Sequence, residues 1–170
     1  MVGFVRRALD EASYRPGWLT LELTEDLMIP EPDTIRRAFE DLRHLGVGIS
    51  IDDFGAGYSN LRYLERFPLS EIKVDRSFVH DATHSVTKRV IVESVVKLGA
   101  ALDIRVVAEG IETEAERAIM RALGCSVGQG YLFAAPLDDT QFRRLLDDGL
   151  LLREPWGARR LLTVLDGNVL

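Results

Sequence analysis

The stretch Val47-Gly48-Ile49-Ser50-Ile51-Asp52-Asp53-Phe54-Gly55-Ala56-Gly57-Tyr58-Ser59-Asn60 decides the fold. A β-branched run over Val47–Asp52 reads as a strand, and the glycines after it turn the chain toward a helix. The same order recurs on both sides. Strands are predicted at Leu19–Thr24, Val47–Asp52, Glu71–Asp75, Ile104–Glu109 and Val127–Phe133, each short and bounded by turn residues. Helical spacing of apolar residues lies between them. It marks Ile35 to Leu45 ending at Gly46, a short helix capped by Ser59 and stopped by Pro68, Val90 to Leu102, Thr113 to Leu123 and Asp139 to Asp148. A further helix opens the chain at Val2 to Ala12. Strand then helix, repeated, predicts an α/β fold with a mostly parallel sheet.

Length limits how far that sheet can go. The 170 residues make one domain that buries about 70% of its unfolded surface, so no disulfide or metal staple is needed to fold it. A complete (β/α)₈ barrel takes about 250 residues and eight strands. Five or six strands fit either an open sheet or the C-terminal two-thirds of a TIM-like barrel. The tail from Leu150 to Leu170 is less regular, and Leu161 to Leu165 fits a further strand or a packed extension.

Composition excludes several classes. Hydrophobic residues at 46% and charged residues at 28% exclude a disordered chain. The longest apolar candidate, Val90 to Leu102, is interrupted by Glu93 and Lys97, so no membrane span is expected. The opening Met1-Val2-Gly3-Phe4-Val5-Arg6-Arg7 lacks the pattern of a secretory signal. A single cysteine, Cys125, points to the reducing cytoplasm. The net charge of −6, with no basic stripe, argues against DNA as a partner.

The acidic residues carry the functional signal. Glu22 and Glu25 stand at and just past the end of the first predicted strand, and Asp52 and Asp53 at the end of the second. Lys73 and Asp75 end the third, Glu109 and Glu112 the fourth, and Gln129 lies near the end of the fifth. Singly, such a carboxylate caps a helix or pairs in a loop. In register at the C-terminal ends of parallel strands, where α/β folds build active sites, four of them need counter-charge. An all-oxygen set without His or Cys points to Mg²⁺ or Mn²⁺ rather than Zn²⁺. Lys73 beside them is placed to orient a water or hold a phosphate. The Gly55-Ala56-Gly57 turn lacks the third glycine of a dinucleotide fingerprint, since Asn60 stands there, and is read as a loop beside the metal site. His44, His80 and His84 show no ligand spacing and are read as surface residues; Trp18 and Trp156 are read as packing residues and Cys125 as core.

Five segments occur together in one order: Glu22-Leu23-Thr24-Glu25, Asp52-Asp53-Phe54-Gly55-Ala56-Gly57-Tyr58-Ser59, Lys73-Val74-Asp75-Arg76-Ser77-Phe78-Val79, Val107-Ala108-Glu109-Gly110-Ile111-Glu112-Thr113 and Gly128-Gln129-Gly130-Tyr131-Leu132-Phe133. In this combination the chain resembles the EAL family, bacterial phosphodiesterases of the second messenger cyclic di-GMP. The resemblance covers residues 1–146 and leaves 147–170 as a C-terminal extension. It implies a TIM-like barrel, here incomplete, and two Mg²⁺ or Mn²⁺ ions that assist hydrolysis of one phosphodiester bond to give pGpG. By resemblance Glu22, Asp52, Asp53 and Glu109 are metal ligands, Lys73 activates the water, and Glu112 and Gln129 support the site. Asp75, Gly128 and Gln129 are assigned to the substrate pocket. Glu25 anchors the Phe54–Asn60 loop, which shapes the site and a homodimer surface. Sensor or GGDEF cyclase domains upstream and a role in biofilm signalling are the partners and context that the family implies.

The chain departs from the family's pattern at its start. The Glu-Ala-Leu signature is absent, and Glu11-Ala12-Ser13 lies at the end of a helix rather than on a strand. With that section go a metal-binding glutamate, a substrate-contacting arginine and a metal-binding asparagine, and Ala134-Ala135-Pro136 lacks the usual basic residue. The expectation is a truncated phosphodiesterase domain with weak or no turnover by itself. The alternative is a non-catalytic module that binds cyclic di-GMP or a protein.

Overall fold

A helix whose apolar residues recur every three or four positions has one face to bury, and the first does so with Val5 and Leu9. This is α1 (Val2–Ala12), closed by Ser13 in a left-handed conformation at φ 52°. The computed structural model describes residues 1–24, 33–55, 62–147 and 163–164, which fall into two compact units, Met1–Lys73 and Val74 onward.

In the first unit a 3₁₀ turn, Pro16–Trp18, leads into β1 (Thr20–Thr24). Then come α2 (Asp33–His44), β2 (Gly48–Phe54), α3 (Arg62–Arg66) and β3 (Glu71–Val74), whose last residue begins the second unit. β1 and β2 run parallel, with Thr20 opposite Gly48 and Thr24 opposite Asp52. Phe39 and Leu42 from α2 pack into a core with Ile49, Ile51, Tyr63 and Phe67, all buried. The Phe39 and Phe67 rings meet edge to face at 5.3 Å, a favoured aromatic geometry.

The second unit adds α4 (Arg76–Asp81), α5 (Val86–Leu102), β4 (Arg105–Ala108), α6 (Glu114–Leu123), β5 (Val127–Gly128), α7 (Asp139–Asp147) and β6 (Thr163–Val164). β4 and β5 are parallel, and β6 runs antiparallel to β5. The fold is α/β with mostly parallel strands, as the alternating pattern predicts. Val79, Val92, Val106, Ala108, Ile111, Met120 and Cys125 form the core here.

Four features differ from the sequence expectation. α5 starts at Val86 rather than Val90, because the Ser85 hydroxyl accepts the Lys88 N–H and caps it there. The short α4, capped by Asp75, stands where no helix was predicted. β5 stops at Gly128 instead of reaching Phe133, since the chain turns and the Phe133 N–H closes on the Gly130 carbonyl. Trp18 is 55% exposed, edge to face with Tyr14 and with Arg15 over its ring, and is not a core residue. Ser59 and Trp156 lie outside the described residues, as does most of the 147–170 extension; β6 falls within the Leu161 to Leu165 run.

Gly99 sets how closely α5 lies on β4. A Cβ there would stand 2.7 Å from the Ile104 carbonyl oxygen and 2.7 Å from Val106 Cγ2. Gly99→Ala should therefore cost about 1–3 kcal/mol through overpacking, despite alanine's better helix propensity. Denaturant melts of the two proteins check it, and an alanine variant as stable as the parent would contradict the close approach.

Candidate active site

Three side chains converge in the first unit. Side chains two apart on a strand share a face, so Ser50 and Asp52 of β2 point the same way, with Glu22 and Thr24 opposite them in register on β1. β3 adds Lys73, only 4% exposed. Its ammonium lies 3.0 Å from Glu22 Oε2 and 3.1 Å from Asp52 Oδ1. Burying a lysine charge is costly unless it is paired, and these two carboxylates pair it.

Asp53 kinks the strand near its end. Its φ of 54° is left-handed, a conformation that aspartate tolerates better than most residues. In a regular strand neighbouring carboxylates would point to opposite faces. With this kink a carboxylate oxygen of Asp52 and one of Asp53 come within 4.8 Å of each other. Asp52 Oδ1 also accepts the Asp53 N–H at 3.2 Å. Two adjacent carboxylates with this reach form a hard, all-oxygen donor pair suited to a divalent cation.

The second unit holds Asp75, Glu109, Glu112, Gly128 and Gln129. Glu109 is the first residue past β4, and its N–H donates to the Val74 carbonyl at 3.2 Å. Gln129 follows β5, its N–H on Ala108 O at 2.9 Å and its carbonyl accepting the Ile111 N–H at 2.9 Å. Gly130 permits that contact, because a Cβ there would stand 2.2 Å from the Ile111 carbonyl oxygen. Gly128 pairs with Ala108 across β4 and β5. Glu112 is half exposed three residues beyond Glu109. Asp75 caps α4, with its Oδ1 accepting the Ser77 N–H at 3.0 Å. Glu25 and residues 56–60 of the expected mobile loop lie outside the described residues.

Sequence reading missed Glu116 and misjudged His80. Glu116 is 5% exposed. Its Oε2 accepts the N–H groups of Glu112 at 2.8 Å and Thr113 at 2.9 Å, and its Oε1 lies 2.7 Å from His80 Nδ1. His80 is thus a partly buried partner, not a free surface histidine. The available signal was Thr113-x-x-Glu116, the capping-box spacing, which the structure confirms at the start of α6. Burial is the largest influence on the Glu116 carboxyl and pushes its pKa up. The His80 hydrogen bond, the Glu112 and Thr113 N–H groups and the His80 charge outweigh it and hold the pKa below the ordinary 4.5. Burial alone pushes the Cys125 thiol up to about 12, which leaves it an inert core residue.

Fold and site together match a known family: residues 1–136 fit the EAL domain model, and the chain belongs to that family. It is 44% identical over 141 residues to the bifunctional diguanylate cyclase/cyclic di-GMP phosphodiesterase MucR of Pseudomonas aeruginosa, covering 83% of this chain and 21% of MucR. The solved MucR phosphodiesterase in complex with c-di-GMP superposes with a TM-score of 0.76, over 83% of this chain and 57% of that one. The EAL domain of Mycobacterium smegmatis DcpA is similar at a TM-score of 0.83 and 34% identity, over 91% of this chain and 68% of that one. Klebsiella pneumoniae BlrP1, solved as a manganese/cy-diGMP complex, reaches a TM-score of 0.75 at 43% identity, over 79% of this chain and 34% of that one. The chain therefore spans part of an EAL domain and about a fifth of MucR. Among the described residues no helix is long and apolar enough to cross a membrane.

The lowered Glu116 pKa fixes the sign of a pH effect. A group whose pKa falls on folding stabilises the fold fully above its unfolded pKa, and that contribution fades as pH drops through the folded value. Glu116→Gln should cost stability at pH 7, and the gap to the parent should narrow as pH falls below 4.5. Urea melts from pH 7 to pH 3 test this; a gap that widens in acid would contradict it.

Proposed function

We propose that this chain carries most of a phosphodiesterase site that hydrolyses cyclic di-GMP to pGpG with two divalent cations, Mg²⁺ or Mn²⁺. The observation that carries the proposal is the buried Lys73 between Glu22 and Asp52, beside the kinked Asp52–Asp53 pair. Such a concentration of carboxylates around one fixed cation suits a phosphate-cleaving centre. The relatives add support: MucR is named a cyclic di-GMP phosphodiesterase, and BlrP1 was solved with manganese and cyclic di-GMP.

In this proposal Glu22, Asp52, Asp53 and Glu109 hold the cations. Bound there, the cations would lower the pKa of a water and neutralise charge on the attacked phosphate. Lys73 orients the water and takes part of the phosphate's charge. Glu112 and Gln129 brace the site, and Asp75, Gly128 and Gln129 line the pocket for the dinucleotide. The water oxygen bonds to phosphorus as the bond from phosphorus to the ribose 3′ oxygen breaks, and that oxygen takes up a proton. The product is linear.

Residues 1–146 form the EAL portion and 147–170 an extension of it. Glu25 steadies the Phe54–Asn60 loop, which also serves a homodimer surface. The natural setting is the cytoplasm, with sensor or GGDEF domains on the same polypeptide; the name of MucR pairs a cyclase with a phosphodiesterase in this way. A second reading is dinucleotide binding without turnover, supported by the similar MucR phosphodiesterase having been solved with c-di-GMP bound.

Release of pGpG from cyclic di-GMP, with Mn²⁺ or Mg²⁺ present, separates the two. We expect slow turnover by the 170-residue chain and faster turnover when the rest of an EAL domain is supplied upstream. Asp52→Asn should abolish turnover in both and weaken Mn²⁺ binding at least about tenfold, since it removes a donor charge. Dinucleotide binding with no product from either form supports the second reading. Full turnover by the Asp52→Asn variant overturns the first.

A further inference from the structure

We infer that His80 is a positioning residue that, with Glu116, holds the Glu109–Thr113 loop in its working shape; the inference rests on the functional proposal above. A capping box alone needs one carboxylate oxygen, turned back to the N–H groups before the helix. Glu116 uses Oε2 for that purpose, on Glu112 and Thr113. Its Oε1 is held separately by His80 Nδ1 at 2.7 Å, from α4. An ionised carboxylate only accepts, so the ring donates through Nδ1.

The loop so held is short and fixed along its length. Its first N–H, of Glu109, is on Val74 O; its middle residue Ile111 is bonded to Gln129 O and Leu132 N–H; its last two N–H groups are on Glu116. Gly110 at φ 68° packs against Arg76, where a Cβ would stand 2.6 Å from the arginine Cβ. Arg76 and His80 belong to the same helix, α4. One short helix therefore touches the loop near Glu109 and braces it near Glu112. The ring also stands beside Glu112, with Nε2 3.9 Å from its Oε1. His80 touches neither substrate nor metal in this account. It acts through Glu116 on the loop that carries two proposed site residues.

The test compares the 170-residue chain with its His80→Ala, His80→Phe and His80→Asn variants. Asparagine offers an N–H donor near the place of Nδ1, whereas phenylalanine keeps ring volume and loses the donor. Circular dichroism confirms folding, and Mn²⁺ affinity and the rate of pGpG release are then read at a temperature where each variant is folded. Removing the partner that orients a ligand-bearing group should cost roughly tenfold in metal affinity or in kcat. We expect that loss in the alanine and phenylalanine variants, a KM for cyclic di-GMP within about twofold of the parent, and recovery of most of the loss by asparagine. If folded alanine and phenylalanine variants match the parent in affinity and kcat, or asparagine does no better than alanine, the positioning role is overturned. A parent chain that neither binds Mn²⁺ nor releases pGpG overturns the functional proposal instead, and this inference with it.

Discussion

The Lys73 ammonium has to be paired, and that requirement organises the polar end of the first unit. It is almost fully buried on a strand with no exposed position, so water cannot solvate it. Leaving such a charge alone would cost several kcal/mol. Glu22 and Asp52, delivered by β1 and β2 in parallel register, meet it at hydrogen-bond distance. Shifting either strand by one residue would turn its carboxylate to the other face. Strand register and electrostatics therefore specify the same arrangement, and neither can change without the other.

A strand end can place only one side chain of each adjacent pair toward a site, and the Asp52–Asp53 pair escapes that limit by backbone distortion. The left-handed Asp53 gives up regular alternation and brings two adjacent carboxylates within reach of one another. Strained backbone of this kind persists where surrounding structure over-determines it. Here buried Ile51 and Phe54 fix the chain on both sides. In the second unit the same economy of space is achieved with Gly130, whose missing Cβ lets the Gln129 turn lie directly on the Ile111 backbone.

How much of this could be read from the sequence depended on the range of the interaction. The strands and most helices declare themselves by local periodicity and caps, and the acidic residues were visible because they recur at strand ends. The Asp53 kink was not, since Asp-Asp is compatible with a regular strand and only the parallel ladder with β1 gives the kink meaning. The end of β5 was placed too late because Tyr131, Leu132 and Phe133 look like strand residues, while the close approach at Gly130 depends on the Ile111 loop. His80 was read as exposed for a similar reason. Its partner is 36 residues away, and a lone histidine on a short helix carries no local mark of that. Glu116, by contrast, had a local signature in Thr113-x-x-Glu116 and could have been found.

Charge balance connects the structure to the proposed chemistry. With Lys73 as counter-ion, Glu22 and Asp52 share one positive charge between two negative ones, and Asp53 adds a third carboxylate beside them. Glu22 is half exposed and Asp53 is exposed, so a divalent cation can reach these carboxylates from solvent, and its higher charge suits a cluster of acidic oxygens. Oxygen ligands suit a hard divalent ion. Under the functional proposal, Glu22 and Asp52 would hold the cations while still accepting from Lys73, so the buried ammonium keeps its counter-charge and would face the site. A charge so placed has a new use, on the phosphate, which carries the negative charge it needs, and on the water, whose oxygen accepts an N–H. The same lysine can thus stabilise the fold before the cations arrive and serve the reaction afterwards.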